Sequence, residues 1–213
     1  MTDADVTVVD YGVGNLLSVR RALEHCGARV DVTAEPRRVA EAARVVLPGV
    51  GAFGGCMDEL RRYAMVDAVL AFAARERPFL GICVGMQLLL DEGEEFGTHE
   101  GLGLIAGRVE PIPPGGADGR VRRLPNVGWR ELKPCGTAWS HSLLADAAPG
   151  TAVYFCHSFR ACPASDEVVI ARSDYEGLDV PAMLRQGHLH GVQFHPEKSG
   201  PAGLSILRRF LRI

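Results

Sequence analysis

A cysteine lies between two glycines in Gly81-Ile82-Cys83-Val84-Gly85, where an apolar run changes to a helical pattern. This is the G-x-C-x-G form of the nucleophile elbow, in which a strained turn between a strand and a helix presents a reactive side chain. The start of a helix favours a thiolate, and the Val84 N–H could stabilise an oxyanion. The alternative is a buried cysteine at a tight turn, because cysteine also packs as a small hydrophobic residue.

A histidine and a glutamate near the C-terminus could complete a catalytic triad with this cysteine. The apolar run Gly191-Val192-Gln193-Phe194 leads into His195, and Glu197 follows two residues later. Pro196 restricts His195 to an extended conformation. In extended chain, residues i and i+2 point to the same side, so we expect Glu197 beside the imidazole, where it fixes the tautomer. The alternative is a surface turn with an ordinary histidine; the presence of the elbow favours the triad.

A glycine-rich loop, Pro48-Gly49-Val50-Gly51, follows another apolar run. Glycine on both sides of Val50 would allow a peptide to flip and direct the Val50 N–H outward as a second oxyanion donor. Taken alone, the loop is better explained as a simple turn into the next helix.

Strand and helix patterns alternate through the first half of the chain, which predicts an α/β fold with a doubly wound, mostly parallel sheet of the flavodoxin-like kind. The predicted strands are 5–10, 29–33, 44–47 and 78–83, and the predicted helices are 16–26, 36–43, 56–75 and 84–91. Asn15 is a plausible cap of the first helix. Ligands bind beyond the carboxyl ends of parallel strands, so the loops after the first, third and fourth strands should meet on one rim.

The second half is more β-like and predicts a more antiparallel arrangement. Strands are expected at 127–132, 152–156, 168–171, 180–184 and 191–193, followed by an amphipathic closing helix from residue 201. The length of 213 residues and the absence of a separating linker predict a single domain over 1–213.

Composition narrows the class of protein. A net charge of −3 with both signs mixed along the chain gives no support for nucleic-acid or charged-membrane binding. No export signal or membrane span is evident, and six irregularly spaced cysteines indicate reduced thiols in a cytoplasmic protein. Cys156, His157 and Cys162 are close in sequence, but no second pair has zinc-ligand spacing, so we predict no metal and no cofactor.

The elbow, together with His195-Pro196-Glu197 about a hundred residues later, resembles the triad-type, or class I, glutamine amidotransferases. Five further stretches resemble more narrowly the glutaminase subunit of imidazole glycerol phosphate synthase, of histidine biosynthesis, and the likeness spans nearly the whole chain. These stretches are Asp10-Tyr11-Gly12-Val13-Gly14-Asn15-Leu16, Pro48-Gly49-Val50-Gly51-Ala52-Phe53, Pro125-Asn126-Val127-Gly128-Trp129, Tyr154-Phe155-Cys156-His157-Ser158 and Phe194-His195-Pro196-Glu197-Lys198-Ser199.

The resemblance implies roles for the candidate residues. Cys83 would attack the side-chain amide of L-glutamine, His195 would protonate the departing ammonia and later activate water, and Glu197 would orient His195. The N–H groups of Val50 and Val84 would hold the oxyanion. By the same resemblance, the residues around the glutamine would be Gly51, Gln87, Glu95, His157 and Ser158.

The resemblance also implies a partner, a (β/α)8-barrel cyclase subunit that would form a heterodimer with this chain and use the ammonia to make imidazole glycerol phosphate. The expected docking face includes Tyr11, Asn15, Trp129 and Lys198. From the residues alone, Trp129 would be interpreted as a core residue, Lys198 as a solvated charge and Asn15 as a helix cap.

Three other functions remain possible at this stage. One is a binding protein that kept the fold and lost the chemistry, but all three triad residues are present. Another is a free-standing hydrolase with an elbow cysteine. The His-Pro-Glu and Gly-Val-Gly stretches argue against that function. The third is a class I amidotransferase that serves a different biosynthetic reaction, such as guanylate, anthranilate, carbamoyl phosphate or pyridoxal phosphate synthesis.

Overall fold

A computed structural model describes residues 4–115 and 121–213. Its strands are β1 (Val6–Val9), β2 (Val30–Thr33), β3 (Val45–Gly49), β4 (Phe79–Cys83), β5 (Glu92–Gly93), β6 (His99–Glu100), β7 (Gly107–Pro111), β8 (Asn126–Glu131), β9 (Lys133–Pro134), β10 (Ala152–His157), β11 (Phe159–Pro163), β12 (Val169–Tyr175), β13 (Leu178–Gln186) and β14 (Leu189–Val192). Its α-helices are α1 (Leu16–His25), α2 (Pro36–Glu41), α3 (Phe53–Arg62), α4 (Met65–Ala73), α5 (Val84–Gln87) and α6 (Gly200–Phe210). Short 3-10 helices span Ala138–His141, Asp166–Val168 and Pro196–Lys198.

The largest sheet has eight strands in the order β2-β1-β3-β4-β14-β13-β12-β9. The pairs from β2 to β14 are parallel, and the pairs from β14 to β9 are antiparallel. A four-stranded sheet (β11-β7-β5-β6) and an antiparallel pair (β10-β8) lie outside it. The predicted α/β class, with a mostly parallel sheet and a more antiparallel second half, is therefore confirmed.

The parallel strands are rich in β-branched and other apolar residues because they are covered on both faces. Every residue of β1, β3, β4 and β14 is buried, as expected for parallel strands between layers of helices. Helix α1 contacts α6, while α4 contacts both α2 and α3. Most of the buried apolar side chains form one continuous cluster.

The topology brings three loops to one place. Gly49 at the end of β3 is the register partner of Cys83 at the end of β4, and Ile82 is paired with Val192 of β14. The glycine-rich loop, the elbow and the segment that leads to His195 therefore leave neighbouring strands on the same edge. The rim predicted from the loops after β1, β3 and β4 is present because β1 is parallel to β3 and β3 is parallel to β4. The segment after β14 joins the same edge and was not part of that prediction.

Two predicted helices have the wrong length. The long helix predicted over 56–75 is two helices that begin earlier, at Phe53, and are separated at Ala64, whose φ of 53° is left-handed and breaks the helix. The helix predicted over 84–91 ends at Gln87. After it, the carbonyls of Leu88 and Leu90 accept hydrogen bonds from Leu102 and Gly103, so a distant loop replaces the next helical turns.

Candidate active site

The elbow at Cys83 is strained, and its glycines permit close packing. Cys83 ends β4 and precedes α5 with φ 55° and ψ −113°, a conformation that side chains other than glycine rarely adopt. A Cβ on Gly81 would lie 2.5 Å from the Gly85 oxygen, and a Cβ on Gly85 would overlap the Leu47 oxygen. The two glycines therefore let the turn sit directly against its own strand and against β3.

The sulfur of Cys83 lies at a pocket and not on the open surface. Only 3% of the Cys83 surface is exposed, yet the residue lines a pocket of about 420 Å³ together with His195. The prediction that the turn presents the thiol to a ligand agrees with this position.

His195 and Glu197 form the pair that the sequence predicts. His195 Nδ1 is 2.9 Å from Glu197 Oε1, and both side chains are almost fully buried. His195 is extended, with φ −99° and ψ 97°, but Pro196–Lys198 forms a 3-10 helix. The expectation that Glu197 reaches the ring along an extended chain is therefore wrong: the contact is made across a tight helical turn.

The backbone around His195 is fixed from two sides. The His195 N–H donates to the Tyr154 carbonyl at 2.8 Å, and the Ser199 hydroxyl donates to the His195 carbonyl at 2.6 Å. The same Ser199 oxygen accepts from the Tyr154 N–H at 2.9 Å. Strand β10 and the start of α6 therefore hold the imidazole in position.

The electrostatics of the site favour a charged imidazole. Burial lowers the pKa of His195, but hydrogen bonds with Cys83 and Glu197, together with the negative charges on these two groups, outweigh burial and raise it to about 10. Because Nδ1 is bound to Glu197, Nε2 is the nitrogen left for the sulfur. The arrangement suits an imidazolium that can give its Nε2 proton to a leaving group at the pocket.

One side chain at the nucleophile, Gln193, was missed by the sequence analysis. Its Nε2 lies 3.8 Å from Cys83 Sγ as a donor. Gln87 Nε2 orients it by donating to Gln193 Oε1 at 2.9 Å and to the Phe159 carbonyl at 3.1 Å. Strand alternation could have found Gln193, because residues 193 and 195 share one side of an extended segment.

The expected oxyanion donors both lie beside the nucleophile. Val84 and Val50 line the same pocket as Cys83. The Val84 N–H belongs to the first residue of α5, where helices leave N–H groups without intrahelical partners. Val50 is 39% exposed at the end of β3, and its carbonyl accepts a hydrogen bond from Cys56 Sγ at 3.3 Å.

All five residues expected around the glutamine line the pocket, namely Gly51, Gln87, Glu95, His157 and Ser158. The side chains of three of them, Gln87, Glu95 and His157, also have structural partners. Glu95 Oε2 accepts from the Phe53 N–H at 2.8 Å and so caps the start of α3. The remaining carboxylate oxygen of Glu95 is available to a ligand.

His157 supports the pocket wall and makes no charged contact. Its Nδ1 lies 2.8 Å from the Phe159 carbonyl and its Nε2 lies 3.0 Å from Asn126 Nδ2, an arrangement that places the proton on Nδ1. Burial lowers the pKa of His157 to about 4; the bond to Phe159 opposes this effect and the charge of His195 adds to it. With both ring nitrogens engaged, His157 can contact a ligand only through its backbone or ring face.

Of the four expected docking residues, Lys198 lines the pocket, and Trp129 and Asn15 are at least partly exposed. Trp129 on β8 is 51% exposed and stands edge-on to Tyr154, and the Lys198 ammonium lies 5.8 Å from the Tyr154 ring centroid. Asn15 precedes α1, without a side-chain capping bond, and is partly exposed. Tyr11 is wrongly predicted as a docking residue: it is fully buried, because its ring packs in the core and its hydroxyl donates to the Pro48 carbonyl at 2.7 Å.

Within residues 4–115 and 121–213, no cluster of three or more His, Cys, Asp or Glu side chains is arranged to hold a metal ion. In the same part of the chain, no helix has the length and apolar character needed to cross a membrane.

Comparison with known proteins places the chain in a family. The sequence matches the family described as "Glutamine amidotransferase class-I" over residues 7–213. It is 44% identical over 212 residues to imidazole glycerol phosphate synthase subunit HisH 1 of Legionella pneumophila strain Lens, covering 99% of this chain and 100% of the relative. It is 48% identical over 215 residues to subunit HisH of Rhodospirillum rubrum, covering 97% and 98%. The structure of PurLQS from Thermotoga maritima shares the fold, with a TM-score of 0.72 at 19% identity and 97% coverage of both chains. The chain belongs to the class I glutamine amidotransferase family.

Proposed function

We propose that this protein is the glutaminase subunit of an imidazole glycerol phosphate synthase. It hydrolyses L-glutamine to glutamate and ammonia, and a cyclase subunit consumes the ammonia in histidine biosynthesis. The observation that carries the proposal is the placement of Cys83 and the His195–Glu197 pair at one pocket. The names of the relatives, at 44–48% identity over nearly the full length, support the same reaction.

In the first half-reaction, the Cys83 thiolate attacks the carbonyl carbon of the glutamine side-chain amide. The tetrahedral oxyanion accepts hydrogen bonds from the N–H groups of Val84 and Val50. Each such donor typically lowers the barrier by about 3–4 kcal/mol. His195, present as the imidazolium, gives its Nε2 proton to the amide nitrogen. The C–N bond breaks, ammonia leaves, and a γ-glutamyl thioester remains on Cys83.

In the second half-reaction, His195 is neutral and accepts a proton from water as it attacks the thioester carbonyl. The C–S bond breaks, which releases glutamate and returns the thiolate and imidazolium pair. Glu197 holds the Nδ1 proton throughout, so that Nε2 is the nitrogen that exchanges protons. Gln193 donates to the sulfur from the side and stabilises it as attacker and leaving group.

The pocket suits a small polar amino acid. Its volume of about 420 Å³ is near the lower end of the range for small-molecule sites. Gly51, Gln87, Glu95, His157 and Ser158 surround the ligand in this proposal. The free oxygen of Glu95 suits the α-ammonium group of glutamine, and backbone N–H groups suit its α-carboxylate.

The partner is a (β/α)8-barrel cyclase that docks over the pocket mouth as the second member of a heterodimer. Ammonia released into neutral water would be protonated and lose its nucleophilicity, so a covered route is needed. Trp129 and Tyr154 pack edge to face as an aromatic surface, of the kind that is enriched at the centre of interfaces, and the Lys198 ammonium lies beside it. Asn15 extends this docking face in our proposal. All six cysteines are free thiols, which suits activity in the cytoplasm.

Co-purification with the cyclase, combined with a glutaminase assay, tests the function. We expect the isolated chain to release ammonia from glutamine weakly, and much faster with the cyclase and its ligand. Cys83→Ala should lower the stimulated rate at least about 10³-fold, whereas Cys135→Ala, at a thiol outside the pocket, should not change it. Undiminished hydrolysis by the Cys83 variant would refute the mechanism, and full activity of the isolated chain would indicate a free-standing hydrolase.

A further inference from the structure

Two buried side chains that do not line the pocket lie beneath the glycine-rich loop. Tyr11 follows β1, and Cys56 lies in the first turn of α3. Both are at most 1% exposed. Neither has a role in the mechanism described above, and a docking partner cannot reach them.

Each of these side chains holds one carbonyl of the loop. The Tyr11 hydroxyl donates to the Pro48 carbonyl at 2.7 Å, and the Cys56 thiol donates to the Val50 carbonyl at 3.3 Å. Burial is the main cause that raises the pKa of Cys56 to about 11 and the pKa of Tyr11 well above its ordinary value. Both groups therefore keep, at neutral pH, the proton that each contact requires.

The two anchored carbonyls belong to the peptides on either side of the expected oxyanion donor. The Pro48 carbonyl is part of the 48–49 peptide, and the Val50 carbonyl is part of the 50–51 peptide. Between them lies the Gly49–Val50 peptide, which carries the Val50 N–H. Rotation of this one planar unit changes only ψ of Gly49 and φ of Val50, so it leaves both anchored carbonyls in place.

We propose that Tyr11 and Cys56 are positioning residues for the reaction: together they fix the peptides that flank the Gly49–Val50 peptide and so confine any reorientation of the loop to the unit that bears the oxyanion donor. This inference rests on the proposed glutaminase function. Without an anchor the loop occupies additional conformations, and the Val50 N–H is correctly placed for a smaller fraction of the time.

The expected kinetic effect is specific to the transition state. A donor that binds only the oxyanion contributes nothing to substrate binding, so loss of its positioning lowers kcat and kcat/KM equally and leaves KM unchanged. Because one buried hydrogen bond is removed, we expect kcat of the cyclase-stimulated enzyme to fall about three- to tenfold in either Cys56→Ala or Tyr11→Phe. Cys56→Ser, which retains a donor, should recover most of the loss.

Alkylation of Cys83 by iodoacetamide supplies the second readout, since that displacement forms no oxyanion. Its rate should be the same in Cys56→Ala, Tyr11→Phe and the unmodified chain if only the loop has changed. Cys26→Ala is the matched control, because the Cys26 thiol also donates to a carbonyl, that of Leu204 at 3.5 Å. This control should preserve kcat, KM and the alkylation rate.

The outcomes separate this inference from the function on which it depends. If the unmodified complex does not hydrolyse glutamine, the proposed function fails. If it does, an unchanged kcat in both anchor variants overturns the inference. So does a raised KM at constant kcat, or a parallel loss of alkylation, because each would indicate a general distortion of the pocket.

Discussion

Cys83→Gly should give a more stable protein than Cys83→Ala, although both changes remove the thiol. The reason is the backbone at this position, with φ 55° and ψ −113°. Alanine has the same steric restriction as cysteine there, whereas glycine adopts the conformation freely. A strained elbow therefore predicts a stability difference that no side-chain contact explains.

The size of the difference follows from three contributions. A residue held in a sparsely populated region costs about 1–3 kcal/mol, and this conformation lies outside even the left-handed α region, which places it in the upper half of that range. The glycine variant loses about 0.4–1 kcal/mol of this advantage, because glycine gives the unfolded chain more conformational freedom. Loss of a buried methyl group offsets up to about 0.8 kcal/mol. We expect a net advantage of about 1 kcal/mol for glycine.

Urea unfolding, followed by circular dichroism, measures this difference directly. In a domain of this size, about 1 kcal/mol also corresponds to about 2–4 °C in Tm. Ala71→Gly is the matched control, because Ala71 is exposed in the last turn of α4, and glycine within a helix costs up to about 0.5–1 kcal/mol. The effects at the two positions should therefore have opposite signs. If Cys83→Gly is no more stable than Cys83→Ala, the elbow holds no strain.

Two further changes test burial and packing by urea unfolding. Burial, aided by nearby positive charges, lowers the pKa of His190 to about 4. Between about pH 4 and 6.5 the unfolded chain therefore binds more protons than the folded chain, and the free energy of unfolding decreases as the pH is lowered through that window. His190→Gln should abolish up to about 3 kcal/mol of this loss of stability, whereas a change at the exposed His25 should leave it in place. An unaltered dependence of stability on pH in His190→Gln would contradict the role of His190. Gly85→Ala should cost about 3 kcal/mol or more, because the methyl would overlap the Leu47 oxygen. Gly55→Ala, in α3 with open space around it, should instead add about 0.5–1 kcal/mol, and equal effects at the two glycines would be evidence against close packing at the elbow.

The sequence predicts the parts of the site that depend on local patterns. The elbow is recognisable because Gly81 and Gly85 are needed within two residues of the nucleophile. His195 is recognisable because it follows a buried strand by three residues. Since β1, β3 and β4 are parallel neighbours, knowledge of where each strand ends was enough to bring their loops together. The parallel pairing of β14 with β4, which brings His195 to the same edge, was not predicted.

The errors arise where contacts between distant residues decide the outcome. Helix α5 stops early because the carbonyls that follow it are bound by a loop fifteen residues further on. Tyr11 was placed on the docking face by the resemblance, but its hydroxyl reaches the Pro48 carbonyl in the core, a contact between residues distant in sequence. Gln193 was overlooked because it lies within the apolar run before His195, although its spacing from His195 places both on one side of an extended segment.

The proposed mechanism divides the pocket into a fixed part and an adjustable part. Cys83 is held by a packed turn, and His195 by backbone bonds on two sides, so the nucleophile and base need no rearrangement. Val50, by contrast, lies in a glycine-flanked loop and is exposed at the rim, where a docking partner can contact it. A partner that accelerates the reaction can therefore act on this loop alone. It would reorient the Gly49–Val50 peptide while Tyr11 and Cys56 hold the neighbouring carbonyls in place. Regulation at the oxyanion donor would then change kcat and leave the affinity for glutamine nearly constant.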